Sequence, residues 1–203
     1  MKQKPIGIGM VIAAFFSTAG LAAALVLLFG TGTFGLGRAL GATGRLSFLL
    51  FWLAYAGGAL RTLFGSAFEP IAARGRDFGL AFAAAQAVHV GLVVWLFAIS
   101  GLAPQSGPLV WFLAAGVFWT YLLAVLSTRR IARTLGQVRW RMIRLAGMEY
   151  VSLVCLFSFV NHPVPGTTWS FVTYALFIAL SVMGTFLRLA AWASRGATLA
   201  KNA

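Results

Sequence analysis

The chain has 203 residues, 61% of them hydrophobic and only 9% charged, where a soluble domain carries about 25% charge. Its mean hydropathy of +0.91 and its 18 phenylalanines exclude a soluble domain, which needs more polar surface, and a disordered chain, which is poor in aromatics. A net charge of +13 does not make a nucleic-acid binder, because no soluble scaffold remains to carry a basic stripe.

Six apolar stretches are each long enough to cross the roughly 30 Å hydrocarbon core as helix. They run over about residues 5–30, 45–64, 78–100, 108–128, 144–161 and 168–193. Turn or charge punctuation separates them, as in Ala103-Pro-Gln-Ser-Gly107 and His162-Pro-Val-Pro-Gly166. The runs are too long for membrane strands and lack period-2 alternation, which excludes a β-barrel. The expected fold is all-α: a six-span membrane bundle forming one domain over residues 1–203. The first stretch continues to Leu28, beyond an ordinary signal-peptide core, and is read as a retained span. The glycine-rich patch Gly30–Gly44 is read as a flexible turn facing outward.

Charge placement sets the orientation, because basic loops stay in the cytoplasm. Lys2, Lys4, Arg61, Arg74, Arg76, Arg129, Arg130, Arg133, Arg139, Arg141, Arg144, Arg188, Arg195 and Lys201 share one side, leaving Arg38 and Arg45 opposite. Both termini are therefore expected to be cytoplasmic, in a bacterial inner membrane. The crowded link Arg129–Arg144 enforces this topology, with docking of an acidic partner or anionic headgroups as the alternative. One cysteine, Cys155, excludes an internal disulfide and a multi-cysteine metal site.

Ionisable groups inside apolar spans are functional candidates by default. His89 sits at mid-span among Ala83, Ala84, Ala85, Ala87 and Gly91, room enough for a planar group or a close helix. Two readings stand: an axial haem ligand, with Gln86 one turn earlier as its hydrogen-bond partner, or a neutral imidazole bonded to a neighbouring helix. Glu149, Arg188 and Arg61 lie at similar depths near the basic side, so Glu149 can pair with Arg188 or Arg61, with snorkelling of Arg188 to the interface as the alternative. Asp77 reads as the N-cap of the third span, and Glu69 as a loop residue. His162 lies in the proline-rich loop after span five, too far from His89 in depth to share a haem with it.

Three passages resemble the ferric-reductase-like transmembrane family, which includes the haem-binding subunit of the bacterial methionine-sulfoxide reductase system and the membrane cores of NADPH oxidases. They are Arg74-Gly-Arg-Asp-Phe-Gly-Leu-Ala-Phe-Ala-Ala-Ala-Gln-Ala-Val-His89, Tyr121-Leu-Leu-Ala-Val-Leu-Ser-Thr128 and Leu135-Gly-Gln-Val-Arg-Trp-Arg-Met-Ile-Arg-Leu145. The resemblance implies a haem b electron-transfer subunit, with His89 as an axial ligand and a partner oxidoreductase chain or a quinone as electron donor. No flavin or nicotinamide site is expected in this chain. Haem-carrying members place two histidines on the fifth span; the matching positions here are Ile143 or Arg144, and Leu156 or Phe157. The second reading is accordingly a bundle without redox activity, serving as scaffold, assembly factor or small-molecule binder.

Overall fold

The computed structural model describes residues 7–101, 107–127, 136–161 and 168–201. His162, Lys2, Lys4, Arg129, Arg130 and Arg133 lie outside the described residues. Helix α1 spans Ile8–Phe29 and α2 spans Thr33–Phe64. A 3-10 turn over Gly65–Phe68 and a short α3, Glu69–Ala73, lead to α4, Gly75–Ser100. Helices α5 (Pro108–Leu126), α6 (Gln137–Val160) and α7 (Thr168–Lys201) follow. Six of these helices are long and apolar enough to cross a membrane, and no strand occurs among the described residues.

Helix α2 organises the bundle, packing against α1, α4 and α7, while α5 pairs with α6 and α6 with α7. Half of its most apolar window is buried (50%), against 17–22% for the other five spans. Much of the remaining surface consists of exposed apolar side chains such as Leu27, Phe118 and Phe186, the surface a lipid bilayer covers. Phe48, Phe51 and Tyr55 of α2 centre one core cluster with Phe82 of α4, Phe159 of α6 and Phe177 of α7. Leu36 and Ala39 centre a second, with Ala22 and Val26 of α1 and Leu92 of α4.

The patch expected to be a turn is helical from Thr33 onward, so α2 begins twelve residues earlier than Arg45. Glycine allows the sharp reversal that precedes it. A Cβ on Gly35 would lie 1.9 Å from the carbonyl oxygen of Gly30, a position only glycine can take. Both arginines of the patch are accommodated on the helix. The Arg38 guanidinium lies over the rings of Phe29 and Phe34 at 5.3 and 5.2 Å. Arg45 Nε donates to Gly41 O at 2.8 Å, with its guanidinium over Tyr174.

Two acids also differ from expectation. Asp77 does not cap its own helix, whose N-cap is Arg74; its Oδ1 accepts the Gly7 N–H at 3.1 Å and so caps α1. Glu69 opens α3 and pairs with Arg61, Oε2 to Nε 2.5 Å. Several buried hydroxyls are satisfied within their own helices, as Thr18 to Ala14 O, Thr120 to Gly116 O and Ser181 to Phe177 O.

Candidate functional site: a mid-membrane histidine and two cavities on the basic side

His89 lies fourteen residues into α4, roughly 21 Å along its axis. Its Nδ1 is 3.1 Å from Thr43 Oγ1 on α2. The Thr43 hydroxyl is also 2.8 Å from Ala39 O, which can only accept. The single hydroxyl proton therefore points to Ala39, and Nδ1 of a neutral His89 carries the proton of the interhelical bond. Nε2 is left with a lone pair and no hydrogen-bond partner among the described residues. The ring fits because residue 44 is glycine: a Cβ there would meet His89 Cε1 at 3.2 Å. Gln86 makes no hydrogen bond to His89 among the described residues, so the expected accessory contact is replaced by Thr43. Ser47, one turn beyond Thr43, is 1% exposed, and its hydroxyl has no partner among the described residues.

A second polar group lies nearer the basic side. Arg188 Nη2 is 2.9 Å from Glu149 Oε1, and Tyr55 Oη donates to Glu149 Oε2 at 2.6 Å. Arg188 Nη1 also donates to Tyr55 O at 3.2 Å, and its guanidinium stacks 4.4 Å above the Tyr55 ring. Three helices, α2, α6 and α7, are tied together here. Of the two pairings expected for Glu149, the Arg61 alternative is corrected, since Arg61 is held by Glu69. Tyr55 gave no sign in the sequence, because an aromatic within an apolar run reads as packing. A groove of about 550 Å³ between these helices is lined by Glu149, Arg188, Arg144, Arg195 and Trp192.

The other cavity, about 320 Å³, is lined by residues of α2, α3, α4, α5 and α6. Arg76 and Arg144 line it together with Ser127, Thr120 and Trp140, and Phe51, Phe82 and Val151 supply its apolar wall. Arg144 is, with Ile143, one of the two alternatives for the first of the haem-binding histidine positions that the resemblance implies. The cavity has no histidine or cysteine in its lining, and His89 lines neither cavity. These residues do not fit a haem held between α4 and α6. Cys155 packs against the core cluster around Phe48, and no cluster of three or more metal-ligating side chains occurs among the described residues.

Against known proteins, the chain matches no family model, no curated sequence and no solved structure.

Proposed function

We propose that the chain is a membrane-embedded binding bundle without a haem stack of its own, a divergent relative of the ferric-reductase-like family in a bacterial inner membrane. One observation carries this reading. The space between α4 and α6, where paired histidines would hold a haem, is lined by arginines, and the histidine of α4 is bonded to α2 instead. Binding needs a concave volume with a few polar groups beside an apolar wall, and this cavity has that character.

A haem b reading through His89 is favoured by a different feature. Thr43 fixes the proton on Nδ1 and so leaves Nε2 as a free donor atom, the arrangement that orients a metal-bound imidazole. A haem would supply one-electron transfer, with a partner oxidoreductase chain or a quinone as the other party; the second axial ligand would come from outside the described residues. Reduced-minus-oxidised spectra of the purified protein, expressed with haem supply, separate the two. A folded, colourless wild type supports the binding bundle. A stoichiometric b-type Soret band that His89→Ala abolishes overturns it in favour of the haem reading.

A further inference from the structure

The geometry points to the cavity between α4 and α6 as a binding site for the phosphate of an anionic amphiphile, its chain lying on the apolar wall. This deepens the reading of a non-haem binding bundle and rests on it.

The argument begins with charge. The whole chain has three acids, and each is already engaged. Glu69 is paired with Arg61, and Glu149 with Arg188 and the Tyr55 hydroxyl. Asp77, although adjacent to Arg76, has its carboxylate on the Gly7 N–H of α1. Arg76 and Arg144 therefore face one cavity without a carboxylate between them. The Nε of Arg76 is sealed from solvent and has no hydrogen-bond partner among the described residues. An unmet guanidinium donor at a membrane boundary is costly unless an anion meets it.

Geometry then selects the anion. Arg76 and Arg144 come from different helices and line one space, and arginine forks suit the several oxygens of a phosphate. The 26-residue helix α4 begins at Gly75 in the same lining, its dipole favouring negative charge. Deeper in, Phe51, Phe82 and Val151 offer no polar group to a headgroup but a surface for an acyl chain. A free phosphate would leave that half of the cavity unused.

The test uses the full-length protein in phosphatidylcholine nanodiscs with and without phosphatidylglycerol, with bound lipid identified by native mass spectrometry. Wild type is expected to retain phosphatidylglycerol selectively. Arg76→Gln and Arg144→Gln should each lower retention about tenfold, the loss of one charge-assisted contact. Arg139→Gln removes a charge on the same side, from an exposed position outside the cavity lining, and should change nothing. If the glutamine variants fail to fold, Arg76→Lys and Arg144→Lys keep the charge but remove the fork, and reduced retention is again expected. Equal retention of both lipids by wild type, or unchanged retention in the variants, would overturn the assignment. Complete displacement by excess inorganic phosphate would overturn it too, by showing that the apolar wall contributes nothing. A haem adduct is separated from lipid by mass and visible absorbance, so failure of the non-haem reading is distinguishable from failure of this one.

Discussion

The Tyr55–Glu149–Arg188 group makes a quantitative claim about what ties α2, α6 and α7 together. Arg188→Met removes the 2.9 Å ion pair and the stacked guanidinium but leaves the Tyr55–Glu149 hydrogen bond. Glu149→Gln removes the charge while keeping an acceptor for Tyr55. Each lost charge-assisted bond is worth about 1.5–3 kcal/mol when sealed. The side chains here are 24% and 43% exposed, so solvent or headgroup screening lowers the figure. Each single variant should then destabilise by about 1–2 kcal/mol, and the double variant by less than the sum, with a coupling of about 1 kcal/mol. Arg61 and Glu69 provide the internal comparison, because their side chains are 58% and 49% exposed. The same cycle there should give a coupling of a few tenths of a kcal/mol at most. Reversible unfolding in mixed micelles, followed by tryptophan fluorescence, measures both cycles. Strict additivity at Glu149–Arg188, or equal coupling in the two pairs, would refute the idea that this group fastens three helices.

Two further outcomes follow from packing and capping. Gly147→Ala would place a Cβ 2.7 Å from the Trp119 ring and 3.0 Å from Leu123, so α6 must move off α5, at about 1–3 kcal/mol in the same unfolding assay. Asp77→Ala should remove the cap on Gly7 and raise hydrogen exchange in the first turn of α1, by an amount equivalent to about 0.5–2 kcal/mol, whereas Asp77→Asn, which keeps an acceptor, should have a smaller effect.

The six spans were legible because a membrane helix needs only length and apolarity, and each stretch has both. The start of α2 was not, since glycines and two arginines read as a turn in any scheme tuned to water. In the bundle, Leu36, Ala39 and Thr43 are buried against neighbouring helices, and the arginines lie on aromatic rings or a backbone carbonyl. That misreading also hid Thr43, the group that meets His89. Glu149 and Arg188 were legible as ionisable residues at matching depth. Asp77 was not, because its carboxylate serves a helix seventy residues away in the chain. The cavity was illegible for a similar reason: Arg76 and Arg144 each looked like a topological charge, and only the three-dimensional placement of all three acids shows that neither arginine makes an ion pair among the described residues.

The contact pattern also bears on how such a chain is made. Helices α1, α2 and α4 are neighbours in sequence and pack on one another, so they can associate as they leave the ribosome. Helix α7 returns to α2 from far along the chain: Trp52 Nε1 donates to Leu180 O, 128 residues later, at 2.8 Å. Until it arrives, the indole N–H and one whole flank of α2 stay open to lipid. Docking of α7 therefore satisfies a polar group of α2 within the membrane-spanning segment as well as covering one of its apolar flanks.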